Sequence, residues 1–164
     1  YSTNVLRLRS PFIEKAILES CKIKKTIVEK DENEKNLRKI LNLGHTFAHA
    51  FEATLGYSKK LNHGEAVLLG IYTALNFSFK NNLIPDNEYY SIIKHIKQSK
   101  LPFDIKKYFN TNHLNKILSF MLKDKKNKSE KINLVLLKKI GLPVINKVYN
   151  KNTLRIFLSK ELVN

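Results

Sequence analysis

The chain has 164 residues, 43% hydrophobic and 27% charged, with a formal net charge of +16. That length and balance argue for one globular domain over residues 1–164, with a core of its own, rather than a disordered chain. A single cysteine, Cys21, excludes an internal disulfide and fits a reducing, cytoplasmic setting, and no window is apolar and long enough to cross a membrane.

A strong positive charge is also the footprint of a nucleic-acid binder. Here Lys outnumbers Arg heavily, and Lys, Asn and Ile are abundant together, as an AT-biased genome would produce. Base and phosphate readers favour the forked guanidinium of Arg. No nucleic-acid or membrane partner is therefore expected, although the positive field would draw in a small anion.

In chain order the periodicity is helical almost throughout. The opening "YSTNVLRLRS" has no initiating Met and no signal-peptide core, so the chain is expected to be a fragment of something longer. Ser10 then reads as an N-cap and Pro11 as the first helical residue. The apolar stripe of that first helix runs Ile13, Ile17, Cys21, Val28, which makes Cys21 a small core residue and puts Lys24 on the stripe. A second helix is predicted over about Glu34 to Thr54, stopping near Gly56. Asn62 caps the third, with Glu65 closing a capping box. Further helices start near Asp86, Asn112 and Asn152. Between the last two, "KINLVLLKKIGLPVINKVYN" is β-rich and broken by Gly141 and Pro143, which predicts a small hairpin. The expected fold is mainly α, a helical bundle with a β-hairpin near the C-terminus. No strand followed by a glycine-rich turn occurs, so a dinucleotide-binding unit is not expected in this chain.

The second predicted helix is apolar on most of its circumference, yet Glu34, Arg38, Asn42, His45 and His49 follow one another at steps of four, four, three and four. On a helix they would share one face. Buried polar groups need partners. This face therefore lines either a wet or liganded cleft or an internal hydrogen-bond network in which Glu34 pairs with Arg38. His45 and His49, one turn apart, suit metal binding or one ligand plus one proton carrier. His63, at the start of the next helix, can converge on the same centre. Glu65 is a further possible ligand that its capping role explains equally well. His95 and His113 fall off their apolar stripes and read as solvated.

The text "KDENEKNLRKILNLGHTFAHAFEATLGYSKKLNHGEAVLLG" follows the order DExExGxR, LNxGHTxGHAxE, HGEAV, and "LKDKKNKSEKINLVLLKKIG" follows DKK and LxxIG. In order and spacing this resembles the C-terminal domain of the 3-dehydroquinate synthase family, which acts in the shikimate pathway of aromatic amino acid biosynthesis. The resemblance implies two metal ligands, His45 and His63, for a divalent zinc or cobalt ion. It implies that Lys24, Arg38, Asn42 and His49 are catalytic and contact substrate, with Glu34 orienting Arg38. Either Lys125 or Lys126 of the DKK segment would be a further substrate contact. The implied substrate is a small anionic sugar phosphate, 3-deoxy-D-arabino-heptulosonate 7-phosphate. The implied reaction is phosphate elimination and ring closure by way of transient oxidation by NAD. A sugar-phosphate cyclase of the same superfamily is the alternative, and intact Arg38 and Asn42 favour the dehydroquinate reaction.

The family's third metal ligand, a glutamate, and its NAD-binding N-terminal domain have no counterpart here. The resemblance therefore implies a homodimeric enzyme of which this chain is the C-terminal piece, binding metal weakly and inactive alone. Two substitutions depart from the pattern: Ala48 and Asn36 stand where the family carries glycine. One methyl in a helix seam and one polar residue in a loop are both tolerable.

Overall fold

The most apolar helix of the chain organises the rest. In the computed structural model, which describes residues 1–101, 103–123 and 131–163, helix α4 (His63–Lys80) buries Leu69, Gly70, Ala74 and Phe77. Its start is fixed as the sequence predicts: Asn62 caps it, and the Asn62 N–H donates to Glu65 Oε2 at 2.9 Å, closing the capping box. Helix α3 (His45–Thr54) lies against α4 with Phe47, Ala48, Ala50 and Phe51 buried. The approach is close enough to exclude side chains. A Cβ on Gly70 would lie 2.3 Å from the Gly44 carbonyl oxygen and 2.9 Å from the Ala48 nitrogen. A Cβ on Gly44 would lie 2.4 Å from the Ile71 nitrogen.

Around this pair stand α5 (Asp86–Gln98), α6 (Leu114–Lys123) and α7 (Lys151–Leu162). Strands β1 (Lys131–Lys139) and β2 (Leu142–Asn150) pair antiparallel, from Lys131 opposite Asn150 to Lys139 opposite Leu142. Strand β1 alternates as a half-buried strand does: Ile132, Leu134 and Leu136 enter the core that also holds Phe47, Phe51, Leu154 and Leu158. The Leu137 N–H donates to Ser78 Oγ at 3.1 Å and pins β1 to α4. Asn150 ends β2 and caps α7, its Oδ1 accepting the Thr153 N–H at 2.8 Å. The expected architecture of helices with a C-terminal hairpin is the one observed.

Two expectations are corrected. The predicted second helix is not continuous. Leu37–Asn42 is a 3₁₀ helix, Leu43 is extended, and Gly44 takes a left-handed φ of +78° before α3 begins at His45. Glu34, at φ +53°, stands in a turn rather than on a helix. The physical cause is the close approach at Gly44, where only glycine supplies both the conformation and the space. The first helix is also different. After a short α1 (Ser2–Leu6), which periodicity did not signal, α2 runs Phe12–Lys30 with Pro11, not Ser10, in the N-cap position. No residue of α2 is buried, Ile17 and Ile23 are more than half exposed, and Cys21 is exposed rather than a core residue. Only the ends of its stripe are partly covered, at Ile13 and Val28, where α2 meets α1 and the 3₁₀ helix.

Candidate functional site

The 3₁₀ helix, the start of α3 and the hairpin enclose a cleft of about 280 Å³. Its walls are Glu34, Lys39, Asn42, His45, Thr46 and His49 on one side and Asn133, Leu134, Val135 and Asn146 on the other. The two sides are tied by the Thr46 hydroxyl, which donates to the Asn133 carbonyl at 3.3 Å. His49 is exposed and His45 half-buried, so this is a cleft open to solvent and not a sealed hydrogen-bond network. Of the two readings open in the sequence, the geometry matches the cleft.

The three histidines meet although they start from two helices. The His45 ring centroid lies 5.6 Å from that of His49 and 6.3 Å from that of His63, and His49 lies 6.4 Å from His63. One turn of α3 separates the first two, and His63 is delivered by the first residue of α4. Nδ1 of His45 faces the Leu43 carbonyl at 3.4 Å, and Nδ1 of His63 faces Glu52 Oε1 at 3.0 Å. Carbonyl and carboxylate oxygens accept, so each contact calls for an N–H on Nδ1, which leaves Nε2 for a metal. That is the form in which histidine binds a metal. Among the described residues, no set of three His, Cys, Asp or Glu side chains forms a complete metal site. Two nitrogen donors in that form would suit a divalent ion.

The turn before the 3₁₀ helix is built on Asp31. Its carboxylate accepts backbone N–H groups from Lys35, Asn36 and Arg38 at 2.9, 2.8 and 3.0 Å. The bonds from Arg38 and Asn36, above all, hold the Asp31 carboxyl below its usual range. Glu34 then reaches the cleft, where its Oε1 accepts from Asn42 Nδ2 at 2.5 Å. So Glu34 positions Asn42 rather than pairing with Arg38. The Arg38 guanidinium donates instead to the Glu32 carbonyl at 2.7 Å.

Glu34, Asn42, His45 and His49 thus share the cleft. Arg38 and the exposed Lys24 are not among its lining residues within the described structure, and His63 joins through its ring contacts. Lys125 and Lys126 lie outside the described residues. Sequence reasoning missed Lys39, Glu52, Asn133 and Asn146. A 3₁₀ helix has three residues per turn, so Lys39 and Asn42, three apart, share a side where an α-helix would have aligned Arg38. Asn133 and Asn146 sit on paired strands and offered no local signal. Glu65 keeps its cap, and His113 stays at its own turn, its Nδ1 lying 3.2 Å from the Asn110 nitrogen and 2.9 Å from Asn110 Oδ1.

Comparison with known proteins bears on the family and the fold. A family profile described as 3-dehydroquinate synthase C-terminal matches residues 2–127. The 3-dehydroquinate synthase of Pelagibacter ubique is 56% identical over 158 residues, 96% of this chain and 43% of that protein. Those of Bradyrhizobium sp. and Coxiella burnetii are 36% and 37% identical over 91% and 95% of the chain. A crystal structure of 2-deoxy-scyllo-inosose synthase, complexed with carbaglucose-6-phosphate, NAD+ and Co2+, has the same fold. Its TM-score is 0.67 at 21% identity, over 84% of this chain and 39% of that one. The helical domain with its histidine-lined cleft thus shares the fold of the corresponding part of that synthase. By sequence, the chain belongs to the 3-dehydroquinate synthase family, as its C-terminal domain, and it spans less than half the length of these relatives.

Proposed function

We propose that this chain forms the metal- and substrate-binding face of a 3-dehydroquinate synthase, converting 3-deoxy-D-arabino-heptulosonate 7-phosphate to 3-dehydroquinate and phosphate. The observation that carries the reading is the meeting of His45, His49 and His63 beside a cleft that also presents Asn42 and Lys39. His45 and His63 would hold a divalent ion through Nε2; the Co2+ of the similar synthase supports the presence of a divalent ion. When bound, the ion acts as a Lewis acid on a substrate hydroxyl and on the ketone derived from it.

The remaining work belongs to the chain's own side chains. His49, one turn from His45, can hold or pass a proton. Asn42, its amide oriented by Glu34, is set to bind substrate hydroxyls. Asn133 Oδ1 is buried with no hydrogen-bond partner among the described residues, and a bound hydroxyl would relieve that cost. Lys39 brings a cation to the cleft for an anionic group. Lys24, Arg38 and one of Lys125 or Lys126 complete the substrate contacts on the strength of the family resemblance. NAD is assigned to the part of the relatives that this chain does not span, and that part is the proposed partner of this domain within a homodimer.

The test uses full-length protein. His45→Ala or His63→Ala should abolish metal content and turnover together. His49→Ala should keep the metal and lose turnover by about 10²–10⁴-fold, the usual contribution of a general acid–base group. Metal retained in both ligand variants would sink the reading. Incubation with NAD and either the heptulosonate phosphate or glucose 6-phosphate, followed by identification of the ring formed, separates this function from that of a related cyclase.

A further inference from the structure

We infer that Glu52 is a positioning residue for the metal site: its carboxylate fixes the tautomer and aim of His63. The inference rests on the proposed function and deepens it. Glu52 stands on α3, three residues beyond His49 and seven beyond His45, so all three project from one side of the helix. Its Oε1 lies 3.0 Å from His63 Nδ1. The two partners differ in exposure. The His63 side chain is 63% exposed and would otherwise be free to rotate, whereas Glu52 is 12% exposed and held by its helix. A shielded carboxylate thus tethers an exposed imidazole across from α3 to α4.

The chemistry follows from the acceptor. An ionised carboxylate takes a proton and cannot give one, so Nδ1 is the N–H and Nε2 the lone pair. The same contact sets the plane of the ring. Histidine ligands commonly donate their second nitrogen to such a carboxylate, which raises their basicity and orients them. His45 has only a backbone carbonyl in that role, at 3.4 Å. Glu52 is therefore the one charged group set to act on a ligand nitrogen among the described contacts of the two histidines. No step of the reaction passes through Glu52 itself.

The experiment compares full-length wild type with Glu52→Ala, Glu52→Gln and His63→Ala. Zn²⁺ affinity is measured by chelator competition, and the tautomer of His63 by imidazole ¹⁵N chemical shifts in the metal-free protein. Glu52→Ala should weaken Zn²⁺ binding about 10–100-fold, the usual loss for such a partner. It should also shift His63 away from the Nδ1–H form. Glu52→Gln retains an acceptor oxygen and should fall between the two; it also carries the test if the alanine variant does not fold. Should Glu52→Ala bind Zn²⁺ like wild type while His63→Ala loses it, the inference is overturned and the proposed function stands. Should His63→Ala also bind like wild type, the site assignment itself fails.

Discussion

Three backbone N–H groups, from Lys35, Asn36 and Arg38, converge on the Asp31 carboxylate, and the turn they form delivers Glu34 and Asn42 to the cleft. Because those bonds depress the Asp31 pKa in the folded chain, the sign of its pH effect is fixed. Its stabilising contribution is present above the pH where an unfolded aspartate titrates, about 4. It is lost as pH falls through the lower folded value. Wild-type protein should lose stability more steeply below about pH 4 than Asp31→Asn, as followed by thermal unfolding across a pH series. Equal slopes would show that Asp31 does not organise the turn. At this scale the sequence was informative where chemistry is local. Asn62 and Glu65 were legible as a capping box, and His45, His49 and His63 as residues out of place on apolar helices. Glu52 and Asn133 were not, because a polar residue gains its meaning from a neighbour on another element, which spacing does not reveal.

The 3₁₀ helix and α3 show how an element can be misread while its consequence survives. Steps of three and four suit a single α-helix, and apolar spacing alone does not separate it from a 3₁₀ helix followed by an α-helix. The break at Gly44 was invisible because its cause is not local: the backbone of α4 at Gly70 and Ile71 occupies the space a side chain would need. The same contact makes a prediction. Gly70→Ala should destabilise the protein by about 1–3 kcal/mol, as overpacking does. Gly44→Ala should cost more, adding about 1–2 kcal/mol for the left-handed backbone. Denaturant melts would check both. If Gly44→Ala were neutral, the tight α3–α4 contact would not exist in solution. Since α3 carries two of the histidines and α4 the third, these variants should also widen the triangle they form and weaken metal binding.

Across the whole molecule, the hairpin is part of both core and site. Ile132, Leu134, Leu136, Leu154 and Leu158 are buried against the α3 and α4 side chains. Truncating even one buried leucine to alanine costs about 2–5 kcal/mol. Total stability is about 5–15 kcal/mol. A protein ending at residue 127 should therefore lose cooperative folding, seen as a missing thermal transition by circular dichroism. A sharp native-like transition in that truncated protein would show that the helices before the hairpin form a core by themselves. The hairpin was legible as β structure from its Ile, Val and Leu run. Its place as the far wall of the cleft was not, since the pairing of Thr46 with Asn133 joins positions 87 residues apart.

That pairing has a consequence for how the domain is delimited. The family profile ends at residue 127, before any hairpin residue of the cleft, whereas the likeness to whole relatives runs over 96% of the chain, so the profile's boundary is not the boundary of the cleft. The tie between the two walls runs through the backbone carbonyl of Asn133 and not through its side chain. Differences in substrate preference between relatives should then collect at positions such as Asn133 and Asn146, leaving the histidine text unchanged. Under the proposed function, exchanging hairpins between relatives, rather than editing the motif, is the change expected to alter substrate preference.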